Sequence, residues 1–214
     1  MAVDTVNSFI TLAEARAYLD LEAGDTERDA ELEEVINHSA RLFNAYCGCQ
    51  LKSRAYTDLL FDGDGSQTQS LPHGPVDTGQ TLTLYADEFR EFTAALAIWD
   101  GTGSPASKEY MVDAEGWEII RIDGDNWPVG PKTLKVTMTA GYTASTDGGE
   151  LKHAQLRQVA AWYHQIGTDP ALSSWSLGGV NVSLINVNPT IGRHALFLPD
   201  VHAVLHSYRV WSIL

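Results

Sequence analysis

Basic residues are scarce in this chain. Its 214 residues hold 14 Lys and Arg against 28 Asp and Glu, a formal net charge of −14. Tight binding of nucleic acid relies on Lys and Arg that neutralise phosphates and release counterions. So acidic a body is unsuited to gripping DNA, although DNA can pass such a surface without sticking. Cysteine is nearly absent as well. Cys47 and Cys49 lie one residue apart, too close for an unstrained structural disulfide, and they fit a reducing compartment as small buried residues. No run approaches the roughly 20 apolar residues that a membrane helix needs, so no membrane partner is expected. The opening MAVDTVNSFITL has neither the basic start nor the apolar core of a secretory signal. Also missing are a G-x-S-x-G elbow, a phosphate-binding loop and a Cys nucleophile motif.

What is present is unevenly spread. Residues 1–50 carry ten acids and three bases, a balance of −7, and residues 51–150 carry sixteen and seven, a balance of −9. Residues 151–214 carry two acids and four bases, a balance of +2, with five of the seven histidines. This asymmetry implies that the C-terminal part faces a different partner from the rest. At 44% hydrophobic content a chain of this length can bury a substantial core.

Apolar spacing assigns the elements. Thr11-Leu-Ala-Glu14 has the form of a capping box, and Leu12, Ala15 and Leu19 share one face of a helix over residues 12–20. A second helix over about 27–47 places Leu32, Ile36, Ala40, Phe43 and Cys47 at helical spacing, with Gly48 as its cap. After Leu51 the pattern turns to short β-type runs at Arg54–Phe61, Thr81–Tyr85, Phe92–Trp99, Glu109–Val112, Trp117–Ile122 and Thr133–Thr139, separated by Gly, Pro and Asp turns. Helix returns at Glu150–Ile166, with Leu151, Ala154, Val159, Trp162 and Ile166 as its expected buried set. Residues 170–192 hold no charge, and Val180, Val182 and Leu184 alternate with Asn181 and Ser183 as in an extended strand or arm. Pro199-Asp200 opens a last helix through Val201, Val204, Leu205 and Tyr208. The expected fold is α+β: a helical body from residues 1–50 and 150–169, an inserted antiparallel β module over 51–149, and a C-terminal arm with a terminal helix over 170–214.

The candidates for chemistry each have a plainer reading. His202 and His206 stand four apart on one helix face, a zinc spacing, but without the Glu of a metalloprotease or a third ligand. Asp62-Gly-Asp64-Gly65 and Asp123-Gly-Asp125 start like calcium loops, yet the twelfth positions are His73 and Leu134 rather than a bidentate Glu. Gly101-Thr-Gly103-Ser-Pro-Ala106 matches a dinucleotide fingerprint in letters, but Pro105 and the β-like stretch after it leave no helix N-terminus for a pyrophosphate. The residues therefore imply no catalytic group, no metal and no cofactor.

Several motifs in order resemble the head–tail connector, or adaptor, proteins of long-tailed bacteriophages. They are Ser8-Phe-Ile-Thr-Leu-Ala-Glu-Ala-Arg-Ala-Tyr-Leu19, Tyr46-Cys-Gly48, Pro72-His-Gly-Pro-Val76, Tyr110-Met-Val-Asp113, Asn126-Trp-Pro128, Leu134-Lys-Val-Thr-Met-Thr-Ala-Gly-Tyr142 and Leu198-Pro-Asp-Val201 with Leu205-His-Ser-Tyr-Arg209. The resemblance covers most of residues 8–167 and recurs at 196–209. It implies a virion protein of the neck, assembled in the bacterial cytoplasm, that forms a homo-oligomeric ring, usually a dodecamer, beneath the portal protein. DNA passes through the ring, and stopper or tail-completion proteins dock on its far side. The −16 carried by residues 1–150 then suggests a channel lined with acids. Other readings are a stopper or tail-completion protein, an enzyme with a composite site at a subunit interface, or an acidic module that mimics DNA.

The expected interface with the portal or a neighbouring copy is Trp175, Val180, Val182, Leu184, Phe197, Tyr208, Arg209, Trp211, Ile213 and Leu214. The arm should be ordered mainly by contacts outside its own subunit. Its uncharged strand, Val180–Val187, has the alternation needed to add to a neighbour's sheet edge.

Overall fold

Thr11 opens the first helix as its spacing predicts. In the structure, a computed structural model, the Thr11 hydroxyl accepts from the Glu14 N–H at 3.2 Å, and Glu14 Oε2 accepts from the Thr11 N–H at 2.9 Å. Residues 2–22, 24–77, 79–80, 82–102, 104–143, 148–164, 174–177, 180–183 and 197–210 are described. The chain divides into two compact units, Met1–Gly48 with Ala144–Leu214, and Cys49–Thr143.

The first unit is helical. Helix α1 spans Leu12–Tyr18 and α2 spans Asp29–Cys47, which ends where Gly48 takes up a left-handed conformation at φ 73°. Such a cap favours glycine, because a Cβ would crowd the backbone there. Helix α3 covers Gly148–Tyr163 and α4 covers Pro199–Ser207. Leu32, Ile36, Ala40, Phe43 and Cys47 of α2 are buried, as their spacing requires, with Leu151, Ala154 and Val159 of α3 and Val201 and Leu205 of α4. Trp162 corrects the expectation: it is only half-buried, and Tyr163 takes the buried place beside it.

Amides tie this unit together from inside. Gln155 is fully buried, and its Oε1 accepts from the Phe9 N–H at 2.9 Å. Its Nε2 lies 2.9 Å from Ser39 Oγ, 3.1 Å from Ser8 Oγ and 3.3 Å from the Ile36 carbonyl. Asn37 holds the leading segment by accepting from the Asp4 N–H at 2.6 Å and donating to the Ala2 carbonyl at 3.0 Å. Buried polar atoms demand partners, and here the partners belong to segments far apart in sequence.

The second unit is β. Strands β1 (Arg54–Asp64), β2 (Thr68–Ser70), β3 (Thr83–Ala86), β4 (Tyr110–Val112), β5 (Glu118–Arg121) and β6 (Val129–Ala140) form two antiparallel sheets of order β1-β6-β3 and β2-β5-β4. Leu84, Tyr110, Ile119, Trp127, Leu134, Val136 and Met138 make its core. A bulge sets the register. Tyr56 pairs with Met138 and Leu59 with Val136, so β1 spends one residue more than β6 between them. Asp58 absorbs it at φ 50°, its N–H donating to Thr137 Oγ1 at 3.1 Å. Tyr56 and Leu59, which strict alternation would send to opposite faces, thereby both pack on the core.

The run Phe92–Trp99 is not a strand. Arg90 and Phe92 have positive φ (65° and 49°), and the segment is hydrogen-bonded to the sheets by isolated bonds such as Leu96 N–H to the Leu84 carbonyl at 2.8 Å, while Leu96 and Ile98 pack against the core. Asp87 gathers the N–H groups of Phe89, Glu91 and Phe92 onto its carboxylate and so folds the chain into a turn that takes up the first residue of the expected strand. The result is an α+β protein with four α-helices and antiparallel sheets among the described residues.

Candidate assembly surfaces

Phe197 leads into α4 and decides where that helix sits. It is 6% exposed, with its ring 5.6 Å from Phe43 and 5.5 Å from Tyr46. The Leu198 N–H donates to Gln158 Oε1 at 3.0 Å, and Val201 and Leu205 are fully buried. Around the rim, Tyr46 Oη and His202 Nε2 are 2.8 Å apart, Arg157 pairs with Asp200 at 2.5 Å, and the Val210 N–H donates to the Cys47 carbonyl at 2.9 Å. This overturns the expectation for Phe197 and for the terminal helix: both complete the core of their own subunit. Tyr208 is half-buried, and Arg209 is exposed with its guanidinium 5.5 Å from the Tyr46 ring centroid. Leu184, Trp211, Ile213 and Leu214 lie outside the described residues.

Trp175, Val180 and Val182 fall in a hairpin. Strand β7 (Ser174–Leu177) pairs antiparallel with β8 (Val180–Ser183) in a two-stranded sheet of their own. The partners are Ser174 with Ser183, Trp175 with Val182, Ser176 with Asn181 and Leu177 with Val180. Directly opposed residues share a face, and faces alternate along a strand. Positions 175, 177, 180 and 182 therefore lie on one face and are all apolar. Positions 174, 176, 181 and 183 lie on the other and are all small and polar.

A second surface escaped the sequence reading. Leu60, Lys135 and Tyr85 are register partners across β1, β6 and β3, so they form one row on the face of the sheet turned away from the core. Leu60 is 42% exposed. Lys135 Nζ lies 4.3 Å from the Tyr85 ring centroid, 5.1 Å from that of Phe92, and 3.6 Å from Asp58. Phe89, 84% exposed, stands on the Asp87 turn that also carries Phe92. The signal was the doublet Leu59-Leu60, since in a half-buried strand one of two adjacent leucines must face outward.

The acids of the β unit cap turns. Asp64 accepts from Ser66, Asp77 from Gly79, Asp100 from Thr102, and Asp113 from Glu115, Trp117 and Glu118. The hydrogen bonds hold the carboxyls of Asp64 (chiefly from Ser66), Asp87 (chiefly from the Phe89 N–H) and Asp100 (chiefly from Thr102) below the usual aspartate value. Asp62 accepts from the Lys132 N–H, and Asp123 pairs with Arg121, so both calcium-like stretches serve the fold. His202 and His206 stack at 6.0 Å. Among the described residues no group of three His, Cys, Asp or Glu could hold a metal ion. Cys47 and Cys49 are free thiols, and burial pushes Cys49 up to about 11.

No family model and no curated protein matches the chain. Solved structures do match it. A chain in the neck of an empty GTA particle computed with C6 symmetry is 20% identical, with a TM-score of 0.53, covering 100% of this chain and 96% of that one. A chain in the virion of a native gene transfer agent (GTA) particle is 22% identical, with a TM-score of 0.54, covering 100% and 95%. A chain in the neck of a native GTA particle computed with C12 symmetry is 21% identical, with a TM-score of 0.52, covering 100% and 94%. The shared feature is the fold, over the whole length.

Proposed function

We propose that this chain is a structural protein of the neck of a tailed phage or phage-like particle, and within the neck the adaptor. In this reading about a dozen copies form a ring beneath the portal protein. DNA passes through the ring, stopper or tail-completion proteins bind its far side, and the role is mechanical. One observation carries the reading: full-length likeness of fold to chains of GTA necks and virions, with little left over on either side. The C6 and C12 symmetries named for two of those structures suit a ring. The four helices favour an adaptor over a mostly β stopper, and the net charge of −14 suits a channel that DNA slides past.

Electron microscopy of particles that contain the chain tests this. The expected result is a ring of this fold at the head–tail junction, touching the portal on one side. Density for the chain in the capsid shell or along the tail tube overturns it.

A further inference from the structure

We propose that the β7–β8 hairpin of one copy packs face to face on the outer surface of the β1-β6-β3 sheet of a second copy, over Leu60, Tyr85, Phe92 and Phe89. The inference deepens the ring reading above by naming the contact between copies.

The hairpin supplies the first half of the argument. A two-stranded sheet is at best marginally stable alone in water, and among the described residues β7 and β8 pair only with each other. Its register sorts eight residues without exception into an apolar face (175, 177, 180 and 182) and a small polar face (174, 176, 181 and 183). An apolar face of that kind is what a strand pair presents to a second sheet stacked about 10 Å away. The asymmetry lies between faces and not between edges, so stacking suits it better than lengthening a neighbour's sheet.

The sheet supplies the other half. The row Leu60–Lys135–Tyr85 and the adjoining Phe92 place apolar groups on the side of the sheet opposite its core, with the Lys135 ammonium held over two aromatic rings. Phe89 is an aromatic anchor on a turn fixed by three hydrogen bonds to Asp87. Phe89 is the exposed aromatic of the patch, with Tyr85 and Phe92 half-buried beside it, and aromatic side chains of this kind contribute much of the energy of interfaces.

Charge points to a second copy as the occupant. Each copy carries −14, so copies repel over most of their surface. Residues 170–192 carry no charge and can approach an acidic neighbour without that cost. Hairpin and patch are two different surfaces of one chain, so the contact can repeat head-to-tail from copy to copy, and a rotation that closes makes a ring.

Mixing two variants tests it, with mass read by native mass spectrometry and folding checked by thermal unfolding. One variant, Trp175→Ser with Val182→Ser, spoils the hairpin face. The other, Leu60→Glu with Phe89→Glu, spoils the patch at two exposed positions. Wild type is expected to form species larger than a dimer, and each variant alone to self-associate roughly tenfold or more weakly. A one-to-one mixture of the variants should stop at a heterodimer, because it retains one intact hairpin and one intact patch. Assembly of either variant as in wild type overturns the proposal, as does a mixture that stays monomeric, the result expected if hairpin and patch meet within one copy. A wild type that stays monomeric overturns it too. The neck reading is judged separately, by where the chain lies in the particle.

Discussion

In the helical unit the decisive polar groups are amides at the centre, whereas in the β unit they are carboxylates at the turns. Gln155 is sealed from water and bridges Phe9, Ser8, Ser39 and Ile36, segments that only the finished fold brings together. Asp64, Asp87, Asp100 and Asp113 each serve backbone within a few residues of themselves. The first arrangement rewards long-range assembly, since a partly formed network leaves buried groups unsatisfied. The second shapes local turns before any core exists. The same comparison recasts the acidity of residues 51–150: many of its charges are turn caps first, whatever potential they also project.

The largest expected effect is on the apolar core. Phe43→Ala removes a ring 1% exposed that packs on Phe197, and should cost about 3–5 kcal/mol. Chemical unfolding followed by the helical far-ultraviolet signal measures it, and a near-wild-type midpoint would break the account of α4 as core. Gln155→Ala comes next, at about 2–3 kcal/mol, because the Phe9 N–H and Ser39 hydroxyl lose a buried partner. If the loss stays under about 0.5 kcal/mol, water substitutes for the amide and the central network matters less than the comparison claims.

Acid should weaken the β unit more than the helical one. Asp64, Asp87 and Asp100 are held below their usual value of 3.8. Their stabilisation is therefore complete above about pH 4 and fades as pH falls through the lowered values. The amides around Gln155 do not titrate. Asp4, through its Asn7 bond, and Glu14, through its Lys152 bond, are the lowered carboxyls of the helical unit among the described residues. The near-ultraviolet signal of Trp117 and Trp127 should decline at higher pH than the helical signal, and a reversed order would sink the distinction. The smallest effect tests the interior of the β unit. The Tyr110 hydroxyl is buried without a hydrogen-bond partner among the described residues, so Tyr110→Phe should be neutral or stabilising by up to about 1 kcal/mol. A clear loss of stability would mean that the β unit, too, has a polar centre.

Helices were legible in the sequence wherever one face alone meets the core. The Thr11–Glu14 box and the spacing from Leu32 to Cys47 both appear as written. Trp162 misled, because size argues for burial but Tyr163 takes the inward place. The β unit was harder to read. A bulge such as that at Asp58 reverses the alternation after one residue, and the Asp87 turn takes up the first residue of an expected strand. Strand β2, three polar residues at Thr68–Ser70, exists only through its pairing with β5. The strand at Val180–Ser183 was visible from alternation, and Ser174–Leu177 became a strand only through its partner. Phe197 shows the limit most plainly: nothing local distinguishes an aromatic residue that anchors a helix from one awaiting a partner.

The burial of Phe197 and α4 also makes the last described helix a latch on the helical unit itself. Phe197 covers the rings of Phe43 and Tyr46, and hydrogen bonds to Gln158 and Cys47 fasten the two ends of α4 to α3 and α2. A chain shortened to end before Phe197 would turn Phe43 from core into surface, so truncation should cost the subunit its own stability before it costs any partner.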